Sequence, residues 1–364
     1  MKKRIFLFID SLTSGGAQRQ FVGLACLLKQ EGYKVMAATY YDYPFYQPLL
    51  DEGGVQYECF HVNSKLSLPK LIKGIRNFKA DVVISFQTDP NSLACVAAKI
   101  CGVRLVVSER NTHQCVTLKD KIIFQLYRLA DYVVPNSYSE GRFISDTFPF
   151  LKEKTIPITN FVDLKKIHPS SEQNEHARTV VMTAASIKGS KNTKRYLEAC
   201  IKALKQGCNV DIVWYGVNDR NTDLPEYVRY TDECLQMVKE SGFENRIHLL
   251  AKRQDIEKAY READVFCLPS HFEGTPNVIC EAMASGLPVM ASNVCDNPNF
   301  VIPERNGWLF DQNDVDDMAN VLMKVSQANM NLLDDYGKES RRIVEEKCSE
   351  EIFVDKYIKL IESL

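Results

Sequence analysis

Short apolar runs recur along this chain, each closed by a polar or glycine-bearing turn and most followed by a stretch whose apolar residues return every three or four positions. In the first half these runs are Arg4–Ile9, Lys34–Thr39, Val55–His61, Asp81–Phe86, Arg104–Ser108 and Tyr132–Pro135. In the second they are Thr179–Ala185, Asp211–Tyr215, Arg246–Leu250, Asp264–Leu268, Pro288–Ser292 and Gly307–Phe310. The runs are continuously apolar rather than alternating, which predicts strands of parallel sheets covered on both faces by the intervening helices. Such a series predicts two doubly wound domains, 1–163 and 179–349. Between them SSEQNEHAR is polar and rich in Ser and Glu, the composition of an exposed connector, so 164–178 is read as the linker. The last stretch is an amphipathic helix carrying Ile352, Phe353, Tyr357, Leu360 and Ile361.

The richest stretch is Pro269–Gly286, PSHFEGTPNVICEAMASG. It follows a buried-strand pattern and opens a helix near Thr275-Pro276, where a proline loses nothing by lacking an N–H. The first amides of that helix, around Asn277 and Val278, present donors and a positive dipole end to which a phosphate can bind without a metal. Glu281 lies eight residues after Glu273, roughly two helical turns on and near the same face. A carboxylate there can accept hydrogen bonds from a vicinal diol such as a ribose, while Glu273, in the turn, can reach hydroxyls beyond the phosphates. The ligand this suits is a nucleotide with a sugar attached. A capped amphipathic helix with two conveniently placed acids would read the same way from these two positions alone.

Other turns carry candidate chemistry. Gly15 and Gly16 lie between the first strand and its helix, where the absence of a Cβ lets backbone approach a ligand; the G-x-G-x-x-G dinucleotide fingerprint is absent. The strand Arg104–Ser108 runs into SERNTHQC, so Glu109, Arg110, Asn111 and His113 stand where open α/β sheets put their ligands. The second domain opens with the turn SIKGSKNTK, in which Lys191 just precedes a helix pattern and can neutralise a departing diphosphate. Asn313–Met318 contains a D-x-D, at a helix start where acids simply favour the dipole.

Composition narrows the reading. At 364 residues and 45% hydrophobic the chain can bury two cores. The opening KKRIFLFID is a strand, with too short an apolar run for a signal peptide or membrane span. The 12 cysteines are scattered, without a C-x-x-C pair, which suits reduced thiols in a cytoplasmic protein. The six histidines lack ligand spacing, so no metal site and no cofactor are expected. Through Lys165 there are 21 Lys and Arg against 15 Asp and Glu; thereafter 24 against 32. A basic first half fits an anionic acceptor or an anionic membrane surface.

Taken whole, Glu273-Gly274, Pro276-Asn277, Glu281-Ala282-Met283-Ala284 and Gly286-Leu287-Pro288-Val289 resemble the E-x7-E region of the family 4 glycosyltransferases. The resemblance extends to the Gly-Gly-Ala loop, with Gln18 where Glu is commoner, to Asp131–Ser137, to Ile156–His168 and to Gly307–Phe310. It implies a GT-B fold: two Rossmann-like domains facing across a cleft, with helix 350–364 crossing back to the first. It also implies a metal-independent, retaining transfer from a nucleotide diphosphate sugar, a UDP-sugar ahead of a GDP-sugar, to a glycan or polyprenyl-lipid-linked glycan in surface polysaccharide assembly. The protein would be cytoplasmic or peripheral on the inner face of the membrane, with no nucleic-acid partner.

By that resemblance Glu281 anchors ribose and Glu273, with Gly274, Thr275, Pro276, Asn277 and Val278, holds the donor sugar and phosphates. Lys191 and the Gly15-Gly16 loop attend the leaving diphosphate. Glu273, His113 and Lys191 are then the residues closest to the chemistry, and Arg253 a phosphate or base contact. Glu109, Arg110, Asn111 and His113 form the acceptor side; Glu109-Arg110-Asn111 resembles a variant in enzymes that build lipid-linked or surface oligosaccharides. The arginine that usually accompanies the lysine is replaced here by Ser186, with Lys188 the nearest substitute cation. Ser186 and Gln18 leave two alternatives open, a nucleotide-sugar epimerase or hydrolase of the same fold, and a nucleotide-sugar-binding protein without catalysis.

Overall fold

The computed structural model describes residues 2–170, 176–217 and 224–364; the centre of the expected linker, 171–175, lies outside the described residues. The chain forms two compact units, Met1–Phe161 with Glu350–Leu364, and Val162–Ser349.

The first unit is built on six strands: β1 (Arg4–Ile9), β2 (Lys34–Thr39), β3 (Gln56–Cys59), β4 (Val82–Phe86), β5 (Arg104–Glu109) and β6 (Tyr132–Pro135). They pair in the order β3-β2-β1-β4-β5-β6, all parallel, with Ile5 opposite both Val35 and Val82. The order reverses between β1 and β4, so the crevice of this unit opens at their carboxyl ends. Alternation sends Ile5, Leu7 and Ile9 to one apolar layer and Phe6 and Phe8 to the other. The C-terminal helix Glu350–Ser363 completes the first layer with Phe353, Tyr357, Leu360 and Ile361.

The second unit repeats the plan with β7 (Thr179–Ala184), β8 (Val210–Val217), β9 (Ile247–Ala251), β10 (Val265–Leu268), β11 (Val289–Ser292) and β12 (Gly307–Phe310). Their order, β12-β11-β10-β7-β8-β9, is again parallel and places the reversal between β7 and β10. Strands β10 and β11 are buried along their whole length.

Two expectations shift. The edge strand expected over Val55–His61 pairs only across Gln56–Cys59, where exposure alternates because one flank has no neighbour. The first part of the expected linker is packed into the second unit: Val162 and Ile167 are buried there, and the Arg341 guanidinium donates to Ile167 O (2.9 Å) and Ala284 O (2.7 Å). The change of unit therefore falls at Phe161.

Candidate functional site

In the second unit the candidate donor residues gather at the β7–β10 reversal. Ser186 follows β7, and the turn Gly189–Lys191 leads into the helix Thr193–Lys205. The turn after β10 is tied to this one, since the His271 amide donates to Ser190 O at 3.0 Å. Burial holds the His271 imidazole below its ordinary pKa, with nearby Arg195 adding to the effect. Behind the turn, the Ser292 hydroxyl at the end of β11 donates to Ser270 O at 2.6 Å, and Asn297 Nδ2 donates to Ser292 O at 3.0 Å. The result is a crevice floor in which the loops after β7, β10 and β11 are hydrogen-bonded to one another. Gly216 closes against it with φ +155°; a Cβ there would stand 1.8 Å from Ala185 O, so no other residue fits.

Lys191 Nζ and Glu273 Oε1 meet at 2.5 Å across this floor. The pair is mostly buried, so each charge neutralises the other where water cannot. Gly274 and Thr275 follow, and Pro276 occupies the N-cap of the helix Asn277–Ala284, one position earlier than a first-turn proline. The Asn277 and Val278 amides precede those of Ile279 and Cys280, the first to bond back to Pro276 O (3.0 and 3.1 Å). Glu281 is 4% exposed, and its Oε2 accepts from the Tyr260 hydroxyl at 2.9 Å. Tyr260 was not legible as a site residue: a tyrosine in an apolar pattern announces a core ring, and its hydroxyl's partner appears only in three dimensions.

Lys188 is half-buried and its ammonium has no partner among the described residues. Arg253 is committed elsewhere. Its Nε and Nη1 meet Asp255 Oδ1 at 2.9 Å and Glu262 Oε2 at 2.6 Å, and its guanidinium lies 5.6 Å from the Tyr215 ring centroid. Asp255, then Glu262, raise its pKa further above the ordinary arginine value. A phosphate approaching Arg253 would compete with two carboxylates already in place.

In the first unit a cavity of about 310 Å³ opens at the ends of β1 and β4. Asp10, Gln87, Asp89, Asn111, His113, Lys119 and Asp120 are among its lining residues. Of the four expected acceptor-side residues, Asn111 and His113 line it. Glu109 is wholly buried, accepting from the Tyr127 hydroxyl at 2.7 Å, Thr88 Oγ1 at 2.9 Å and the amides of Arg110 and Asn111 at 3.1 and 3.2 Å. Burial raises its pKa despite these bonds. Arg110 is held inside the unit: Nη1 donates to Asn160 Oδ1 (2.7 Å), Nη2 to the Tyr357 hydroxyl (3.0 Å), and the guanidinium lies 4.2 Å from the Phe86 centroid.

The glycine loop adjoins the cavity through Gln18. A Cβ at Gly15 would lie 2.2 Å from Gln18 Oε1, so the glycine lets that side chain fold back. Gln18 Nε2 donates to Asp10 Oδ1 at 3.2 Å, and the Gln87 amide, oriented as its neighbours require, donates to the same oxygen at 2.9 Å. Gln18 in place of glutamate has a physical reason here, since a carboxylate would face Asp10 charge to charge. Gly16 begins the helix Gly16–Gln30. Gln87 holds this place at φ +74°, a conformation uncommon outside glycine. His113 is bracketed by Glu140, whose Oε1 is 2.7 Å from its Nδ1, and by Asp120 Oδ1, 3.7 Å from its Nε2. The Glu140 contact holds the imidazole above its ordinary pKa.

The fold is shared with solved proteins. The chain matches Anabaena HepE, solved in complex with UDP, at a TM-score of 0.85 with 19% identity, over 99% of this chain and 100% of that one. It matches a glycosyltransferase of Rickettsia africae ESF-5 at a TM-score of 0.86 with 15% identity, over 100% and 99%. Two parallel six-stranded units of this order and these likenesses define the GT-B fold. The model described as "Glycosyltransferase Family 4" matches residues 14–166, and that described as "Glycosyl transferases group 1" matches 177–327. The chain belongs to the family 4 glycosyltransferases.

Among relatives, the UDP-Gal:alpha-D-GlcNAc-diphosphoundecaprenol alpha-1,3-galactosyltransferase of Escherichia coli is 26% identical over 71% of this chain and 70% of its own length. The N-acetylgalactosamine-N,N'-diacetylbacillosaminyl-diphospho-undecaprenol 4-alpha-N-acetylgalactosaminyltransferase of Campylobacter jejuni is 25% identical over 80% and 81%. Among the described residues no helix is long and apolar enough to cross a membrane.

Proposed function

We propose that this chain transfers a hexosyl or N-acetylhexosaminyl group from a UDP-sugar to a polyprenyl-diphosphate-linked glycan, with retention at the anomeric carbon and without a metal. The observation that carries the reading is the β7–β10 crevice. There a Lys191–Glu273 pair meets across a hydrogen-bonded floor, and the helix Asn277–Ala284, which starts four residues after Glu273, carries the buried carboxylate Glu281. On this reading Glu281 grips the ribose diol, and the helix amides with Lys191 take the diphosphate. Glu273 then orients the donor sugar. A diphosphate leaving group held by an ammonium and main-chain donors needs no further cation to depart. The first-unit cavity takes the acceptor, consistent with the relatives whose names specify diphosphoundecaprenol-linked substrates.

A place at the membrane follows from such an acceptor. It is supported by exposed apolar side chains on the first unit: Phe45 is 64% exposed, Leu118 76% and Ile122 59%, the latter two flanking Lys119, Asp120 and Lys121 on one short helix. Apolar side chains beside lysines suit an anionic lipid surface.

The test is product analysis with UDP-galactose, UDP-N-acetylglucosamine and GDP-mannose, each with and without an undecaprenyl-diphosphate-linked sugar, in the presence of a chelator. The expected product forms only with acceptor and a UDP-sugar, and its anomeric proton coupling matches that of the donor. Turnover without acceptor would favour an epimerase or hydrolase; nucleotide binding with no turnover would favour a non-catalytic binding protein.

A further inference from the structure

We propose that Glu140 is a positioning residue that grips His113 through both its main-chain amide and its Nδ1, and so presents the Nε2–H edge of that ring to a hydroxyl of the ligand held in the β1–β4 cavity. The ligand's nature rests on the acceptor reading above; the grip itself does not.

The sequence around Glu140 is Ser137-Tyr138-Ser139-Glu140, the spacing of a capping box. Half of that box is made, since the Glu140 amide donates to Ser137 Oγ at 3.1 Å. The other half, a bond from the Ser137 amide to the Glu140 carboxylate, is not. Both Glu140 oxygens go instead to His113, Oε2 accepting from its amide at 2.9 Å and Oε1 lying 2.7 Å from Nδ1. Glu140 is 1% exposed, and neither Lys nor Arg pairs with it among the described residues. A buried carboxylate without a cation is costly, so the imidazole is what makes this burial tolerable. With both oxygens accepting, Nδ1 carries a proton; Nε2 then accepts in the neutral ring and offers a hydrogen to a ligand in the protonated one.

The ring is fixed in other ways too. It stacks on Phe143 with centroids 5.7 Å apart and planes 9° apart, and meets Phe124 edge-on at 5.5 Å. Two aromatic walls and a two-point grip leave it one orientation. On the far side Asp120 Oδ1 stands 3.7 Å from Nε2, beyond hydrogen-bonding distance. Thr117 donates to Asp120 Oδ2 through its amide and its hydroxyl, which holds Oδ1 as the atom nearest Nε2, beside the cavity that both residues line. The charged groups around the ring are Glu140 on its own helix, Asp120 and Lys119 on the helix Leu118–Leu126, Glu109 at the end of β5, Asp89 on the helix after β4 and Asp10 after β1. Most are acidic, and together with Glu140 they favour the protonated ring. A cationic donor among carboxylates suits a neutral, hydroxyl-rich ligand better than a phosphate.

The experiment is nitrogen-15 NMR of the histidine rings against pH in the full chain, with His113 assigned by His113→Asn, for wild type and Glu140→Gln. The wild-type ring is expected to titrate above the ordinary histidine value and, when neutral, to keep its proton on Nδ1. Glu140→Gln should lower the midpoint by about one pH unit or more and move the neutral-state proton to Nε2. In the transfer assay the same variant should raise the KM for the acceptor several-fold at pH 7 and shift the alkaline limb of kcat/KM to lower pH, with UDP affinity unchanged. Glu140→Asp, shorter but still acidic, should recover part of the midpoint. An unchanged midpoint and tautomer in Glu140→Gln would overturn the inference even if the chain transfers sugar. If that variant does not fold, a wild-type ring protonated at Nε2 when neutral, or titrating at or below the ordinary value, would overturn it alone. Absence of any transfer would overturn the acceptor reading and leave the grip to the ring titration.

Discussion

If Glu281 grips a ribose, its replacement has a size that can be worked out beforehand. The carboxylate is buried, and of its roughly four acceptor positions the Tyr260 hydroxyl takes one, at 2.9 Å on Oε2. A vicinal diol would add two charge-assisted hydrogen bonds, each about 1.5 kcal/mol at the low end of the range for ionised partners. Glu281→Ala should therefore cost about 3 kcal/mol of UDP binding, roughly a hundredfold in Kd. Glu281→Gln keeps the shape and one acceptor oxygen but loses the charge, so a loss of about tenfold is expected. Tyr260→Phe removes one hydrogen-bond donor to the carboxylate; it should lower folding stability by about 1 kcal/mol and weaken UDP less than either substitution at Glu281. Isothermal titration of all four proteins with UDP, each first shown to be folded by its melting curve, gives the ordering directly. A folded Glu281→Ala that binds UDP within twofold of wild type would refute the ribose assignment, however active the enzyme proved to be.

Three further outcomes are expected. Lys191→Ala, which takes the ammonium from Glu273, should lower kcat by roughly a hundredfold while changing the Kd for UDP much less, read by steady-state kinetics beside calorimetry. Ending the chain at Ser349 would uncover the partners of Phe353, Tyr357, Leu360 and Ile361, each worth about 1.5–3 kcal/mol of burial. The summed loss is comparable with a whole domain's stability, so the truncated protein should lack a cooperative melting transition. Burial raises the Asp10 carboxyl above its ordinary pKa, so its contribution to stability is present below the unfolded value and lost as pH rises through the folded one. Asp10→Asn should then raise the melting temperature at pH 7 and give no gain below the usual carboxylate range; an equal gain at both would contradict this.

What the chain disclosed in advance was its parallel-strand architecture, because fully buried strands leave unbroken apolar runs such as those ending at Phe86 and Leu268. Edges and boundaries were less legible. Val55 and Phe60 are buried, so their pattern read as strand although the pairing covers only Gln56–Cys59. The polar stretch near Arg178 advertised a connector, but nothing local showed that Ile167 would be drawn in by Arg341, far along the chain. Side-chain direction was hidden for the same reason. Arg110 and His113 sit in one loop and looked alike as candidates, yet the guanidinium is held by Asn160 and Tyr357 while the imidazole borders the cavity. Glu140 carried a signal that its spacing disguised, because a capping box explains the residue fully until the second half of the box is found to be missing.

Two sheets of identical strand order offer the same crevice at the same topological point, and only the side chains there decide what each can take. At the β7–β10 reversal the charges include Lys191 beside Glu273, with helix amides close by. At the β1–β4 reversal Asp10, Asp89 and Asp120 outnumber Lys119, and the pKa of the other cationic candidate, His113, is raised chiefly by Glu140. The first set suits an anion with hydroxyls attached, while the second repels anions and suits a neutral polyol. Exchanging the sign at either place tests the division: Asp89→Lys should bring inorganic pyrophosphate into weak competition at the first-unit cavity, detectable as chemical-shift changes at His113, which wild type should not show. Equal perturbation of His113 by pyrophosphate in both proteins would mean that this charge does not select what enters.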